Sequence, residues 1–261
     1  MSCQFKILTL LFLAVIPLQS TAADPMPIQT TAADDRGARA GGESRTTALP
    51  ASYLFAPLRA DPKEPRFFVS TLHAESAVRD TTLGAVGFGE QFGILRRETP
   101  AGLGWQLGLS GAVFAQFDLE APSSDLINAD YVIGVPLTWR QGDWSGRVRL
   151  YHQSSHLGDE FLLSTQPQRV NLSFEAIETL IARDFGGLRL YGGGEYLFDR
   201  DPSDLGEGLL HAGLDWRGQA IAFRLGDLGG ARWMAGLDVK RWQQNDWDTQ
   251  FSVKAGLEFA P

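Results

Sequence analysis

Apolar and polar side chains alternate along this chain in runs of about ten residues, most clearly in the last one. In Phe251-Ser252-Val253-Lys254-Ala255-Gly256-Leu257-Glu258-Phe259, one parity carries Phe, Val, Ala, Leu and Phe, and the other Ser, Lys, Gly and Glu. Successive side chains on a β-strand point to opposite sides, so the run predicts a strand with an oily face and a charged face. Trp105, Leu107, Leu109, Val113, Ala115 and Phe117 oppose Gln106, Ser110, Gln116 and Asp118 in the same way. Tyr131, Ile133, Val135, Leu137 and Trp139 oppose Thr138 and Arg140, and Val148 and Leu150 oppose Arg147 and Arg149. Similar sets recur around Leu190, Leu214 and Leu237. Ten strands are predicted, near 66–75, 83–97, 103–118, 128–140, 143–156, 168–184, 187–198, 207–217, 231–243 and 247–260, with twelve as the upper count.

A soluble barrel turns its apolar side inward, whereas the polar sides here carry Arg, Lys, Asp and Glu, which suit a lumen. The seven tryptophans fall near strand ends, where aromatic girdles of membrane barrels lie. The predicted class is therefore all-β: a membrane-spanning antiparallel β-barrel of the bacterial outer membrane, with a secreted β-sandwich as the competitor. Short connections near 140–143 and 185–187 read as periplasmic turns, and longer ones near 118–128, 156–168 and 198–206 as extracellular loops. The 219–230 connection breaks this pattern and reads as an extra hairpin. A last strand ending at Phe259 resembles the aromatic-ended strand read by the barrel assembly machinery, a predicted partner beside outer-membrane lipids.

Composition sharpens the organisation. Lys6, the apolar run 7–18 and the small residues 20–23 predict a signal peptide over 1–23, too short in its apolar part to span a bilayer. Residues 24–52 lack periodicity and read as a disordered linker, which leaves 53–261 for the barrel. Cys3 is the only cysteine, so the exported part has no disulfide. A net charge of −8 argues against nucleic acid as a partner. No motif calls for a cofactor or a metal; Gly87–Gly93 lacks the strand-to-helix context of a dinucleotide fingerprint. Nothing in the sequence sets an oligomeric state.

One segment carries candidate chemistry. The parity that sends Val148 and Leu150 outward also sends His152, Ser154 and His156 outward at the extracellular end. A hydroxyl nucleophile needs an imidazole base, and the base needs a third group to fix its tautomer. Asn171 and Glu175 on the next strand are candidates for that group, although an outward set of Val170, Leu172 and Phe174 turns both toward the lumen unless a bulge re-aims them. Asp159 and Glu160, in the following loop, are alternatives. A polar rim without catalysis and a metal site from His152, His156, Asp159 and Glu160 are competing readings; the last needs a turn, since four strand residues span about 13 Å. Inside, Asn128, Asp130, Arg147, Arg149, Tyr151 and Gln153 form a predicted polar cluster, with Ser173, Asn171 and Glu175 on the same side. A barrel of ten to twelve strands lies between a filled interior and an aqueous channel, which leaves a structural or narrow-pore role.

Two resemblances bear on this. The His152-x-Ser154 pair resembles the outward His and Ser of outer-membrane phospholipase A and of the lipid A deacylase. That likeness implies an interfacial acyl-ester hydrolase with His152 as base and Ser154 as nucleophile. Over a longer stretch, 54–66 (LFAPLRADPKEPR), 125–131 (DLINADY) and 151–160 look like signatures of DUF1207, a family of uncharacterised bacterial envelope proteins. That resemblance implies an exported envelope protein and carries no activity.

Overall fold

The computed structural model describes residues 43–74, 80–165, 172–224, 226 and 230–260. The predicted signal peptide, the linker up to residue 42 and Asn171 lie outside them. The described chain is one antiparallel sheet of eleven strands. They are β1 (Arg45–Ala48), β2 (Phe68–Ala74), β3 (Thr81–Glu98), β4 (Leu103–Asp118), β5 (Leu126–Gln141), β6 (Trp144–Leu157), β7 (Leu172–Phe185), β8 (Leu188–Asp201), β9 (Gly208–Arg224), β10 (Gly230–Trp242) and β11 (Thr249–Ala260). Each strand from β3 to β11 pairs with the next in the chain, and β1 and β2 share the outer edge of β3 at its opposite ends. The only α-helix among the described residues is α1 (Asp159–Thr165). Among the described residues no helix is long and apolar enough to cross a membrane.

The ten predicted runs correspond to β2 through β11. Arg45–Ala48, which composition places in the linker, instead pairs with 95–98 of β3. Residues 219–224 extend β9 rather than forming a separate hairpin, and a register shift near Arg232 accommodates the extra length. Connections of two residues join β5 to β6 and β7 to β8, with Gly142 at φ 56° and Gly186 at φ 64°. That left-handed backbone is open to glycine without Cβ strain, which is why these turns are tight. The opposite end carries the longer connections, 119–125, 158–171 and 202–207.

Burial follows the period of two, with its usual sense reversed. On β5, Asp130, Val132 and Thr138 are buried while Tyr131, Ile133, Val135 and Leu137 are exposed, Ile133 at 63%. On β6, Arg147 and Arg149 are buried and Val148 and Leu150 exposed. The exposed apolar side chains run from Phe88 and Phe92 on β3 to Phe251, Val253 and Leu257 on β11. This patch is far larger than the few hundred Å² that soluble monomers expose.

The charged face is concave and holds a piece of the chain's own N-terminal region. Residues 52–66 form no regular element. Tyr53 donates to Glu90 of β3 at 2.5 Å, and the Leu54 and Ala56 carbonyls accept from Arg140 of β5 and Arg189 of β8 at 2.8 and 2.7 Å. Arg59 reaches Glu258 of β11, Asp61 accepts from Lys240 of β10 at 2.8 Å, and Lys63 pairs with Asp130 of β5. Fifteen consecutive residues touch inward side chains from β3 round to β11 only if the sheet curls about them. The curled sheet is consistent with a β-barrel. Leu58 packs with Phe55, Leu180, Ala182 and Tyr191 in an apolar cluster between segment and wall.

Candidate functional site

The concave face is built around Arg147, 1% exposed. Its guanidinium forks two ways, to Glu64 of the inner segment at 2.7 and 3.0 Å and to Glu178 of β7 at 2.7 and 3.2 Å. Arg149 adds a contact to the same Glu178 at 2.8 Å. A desolvated guanidinium this deep is tolerable only with matched carboxylates, and bidentate geometry supplies them. Phe55 lies across Arg147 and Arg189, 5.0 and 4.2 Å from its ring centre, and covers the pair from the segment side.

The structure brings the six predicted inward residues to one region. Asn128 donates to Asp130 at 2.9 Å, Tyr151 bonds Glu195, and Arg149 stacks over the Tyr151 ring. Arg149, Tyr151 and Gln153 line a cavity of about 130 Å³ with Lys63, Glu195 and Lys240, which is room for a few waters or a small ion. Asp61 sits against Lys240 and near His211. Burial alone disfavours its carboxylate, but the Lys240 ammonium, with the Lys63 backbone N–H, outweighs burial and holds its pKa below the usual carboxylate range.

Asp61, His211 and Asp238 offer ligand atoms within 4.8 Å of one another, and Glu178, Glu195 and His211 do the same. Both donor sets suit a divalent ion. In the first set the atoms are already engaged: Lys240 holds Asp61, while His211 Nε2 and Tyr191 both meet Asp238, at 2.6 and 2.7 Å. His152, His156, Asp159 and Glu160, the ligands of the competing metal reading, form no such group among the described residues; Asp159 and Glu160 open α1.

The convex face carries the other candidate. His152 stands directly across from Glu175, and Ser154 across from Ser173. His152 Nδ1 and Glu175 Oε1 are 2.9 Å apart, with each side chain 40% exposed. This corrects the predicted phase of β7. Phe174 is buried with Ala176, Glu178, Leu180 and Ala182, while Glu175 shares the outward face with Ile177 and Ile181. The inward face of this strand is itself mostly apolar where it meets the inner segment and its neighbours, so alternation alone does not set its phase. Tyr131 and His156 meet edge to face beside this pair, with ring centres 5.7 Å apart. Among the described residues no hydrogen bond joins Ser154 to His152, and Asn171 lies outside the described part of the chain.

A family model described as a protein of unknown function, DUF1207, matches residues 17–261. The chain belongs to the DUF1207 family. No curated protein and no solved structure matches it. The DUF1207 match takes in the inner segment as well as the wall, so both belong to the family's common extent. Sequence reasoning missed Glu64 and Glu178, the two carboxylates that hold Arg147. The available signal for Glu178 was its parity: it shares a face with Ala176, Leu180 and Ala182, and other inward carboxylates, Asp130, Glu195, Asp215 and Asp238, stand on the wall beside Arg147, Arg149 and Arg189.

Proposed function

We propose that this DUF1207 chain is an integral β-barrel of a bacterial outer membrane, closed around its own residues 52–66, with a structural envelope role in place of wide-pore transport. The observation that carries this reading is the inverted burial: apolar side chains cover the convex face, while charges of both signs line the concave face and pair there with an inner segment. Hydrocarbon matches the first surface, and only a closed sheet leaves no unpaired strand edge within lipid. Residues 52–66 occupy the concave interior, with contacts from Glu90 to Glu258, and that argues against a wide solute path. The test is refolding into lipid vesicles followed by planar-bilayer recording. Insertion with heat-modifiable gel mobility and negligible conductance is expected. A chain that stays monodisperse in buffer without detergent overturns the barrel, and a stable large conductance overturns the closed interior.

A second reading rests on the His152–Glu175 contact. A carboxylate on Nδ1 of an outward imidazole leaves Nε2 free to act as a base, and Ser154 stands two residues along on the same face. The surroundings are apolar, so the substrate class is an acyl ester of the outer leaflet, phospholipid or lipid A. Under this reading Ser154→Ala abolishes fatty-acid release from outer-membrane lipid with insertion intact, and equal release by the variant removes it.

A further inference from the structure

At the tight-turn end, the convex face carries a belt of aromatic rings set by register. Trp105 stands opposite Trp139, Trp144 opposite Arg183, and Leu188 opposite Trp216. Within this belt Arg183 is exposed, and its guanidinium lies between two rings, 5.1 Å from the centre of Trp144 and 4.8 Å from that of Phe185. Among the described residues no carboxylate forms an ion pair with it. Its neighbours toward the middle of the sheet, Ile181 and Val148, are exposed and apolar. A cation is thus fixed at the border of the oily band, its faces covered by rings and its N–H edge left for an acceptor. A guanidinium fork matches phosphate oxygens, and stacking holds it in place before the ligand arrives.

We propose that Arg183, clamped by Trp144 and Phe185, binds the phosphate of a glycerophospholipid whose acyl chains lie over Ile181 and Val148. This rests on the outer-membrane barrel reading and adds a specific lipid contact to it. A phospholipid fits better than a free anion because the apolar floor continues directly from the cation, and a phosphate without chains leaves that floor uncovered.

The full chain, inserted in phosphatidylethanolamine–phosphatidylglycerol vesicles and extracted in mild detergent, is weighed by native mass spectrometry. The wild type should retain phospholipid, and Arg183→Gln about fivefold less. Arg183→Lys should fall between them, because it keeps the charge and loses the fork. Phe185→Leu, which loosens the clamp and leaves the charge, should also lower retention. Equal retention by Arg183→Gln, with heat-modifiable mobility intact, overturns the proposal and leaves the barrel standing. An adduct with inorganic phosphate that displaces the lipid also overturns it. Failure of every variant and of the wild type to enter vesicles overturns the barrel reading, and the lipid site with it.

Discussion

At the scale of single residues, the concave face depends on charges matched one to one. Arg147 is held by Glu64 and Glu178, so Glu178→Ala leaves a buried guanidinium with half its acceptors and should cost about 3–5 kcal/mol, read as a lower unfolding midpoint in detergent. Replacing Arg147 and Arg149 by Met together with Glu64 and Glu178 by Leu should restore most of that loss, because both guanidiniums leave with the two carboxylates that hold them. Asp61 gives a pH dependence with a definite sign. Its pKa is lower folded than unfolded, so its contribution is complete above the ordinary carboxylate value of about 3.9 and drains away as pH falls below it. Thermal midpoints taken from about pH 5 down to pH 3 should therefore fall more steeply for the wild type than for Asp61→Asn. Arg147 and Arg149 were legible in the sequence as inward residues through strict alternation with Val148 and Leu150. Their partners were not, because Glu64 precedes the periodic part of the chain and Glu178 lies on a strand whose two faces are both partly apolar.

At the scale of elements, β7 shows where a period of two stops being informative. Alternation identifies a strand whatever its phase, but the phase is assigned by asking which side is oilier. Phe174, Ala176, Leu180 and Ala182 point inward because the inner segment and neighbouring strands offer them apolar contacts. Val170, Leu172 and Phe174 therefore suggested the wrong side, and Glu175 was placed away from His152. Cysteine labelling checks the phase: Glu175→Cys should react quickly with a membrane-impermeant maleimide on intact cells, and Phe174→Cys slowly or not at all. Reversed rates would restore the inward placement of Glu175. The hairpins were easier to read, since Gly142 and Gly186 mark their turns directly. Gly142→Val forces a branched residue into a left-handed backbone and should cost roughly 1–2 kcal/mol, seen as a modest drop in unfolding midpoint.

At the scale of the whole molecule, the sheet and the inner segment form one electrostatic unit. The wall carries inward side chains of both signs, and residues 52–66 set Asp61 and Glu64 against Lys240 and Arg147, Arg59 and Lys63 against Glu258 and Asp130, and the carbonyls of Leu54 and Ala56 against Arg140 and Arg189. The segment escaped sequence reasoning because it has no period, no regular structure and no glycine-marked boundary; its burial is a property of the assembled wall. Charge reversal tests the unit: Glu64→Arg should raise bilayer conductance or abolish insertion, and Glu64→Arg combined with Arg147→Glu should recover insertion at least in part.

The position of residues 52–66 upstream of every long strand also constrains biogenesis. Their anchors lie on nearly all sides of the interior, from Glu90 to Glu258. Were the proposed barrel sealed first, these carboxylates, cations and Phe55 would have to be threaded lengthwise through a passage that their own partners already crowd. Rolling the later hairpins around a leader that is already present avoids that route. A stretch made before the long strands would then serve as the mandrel on which they are wound.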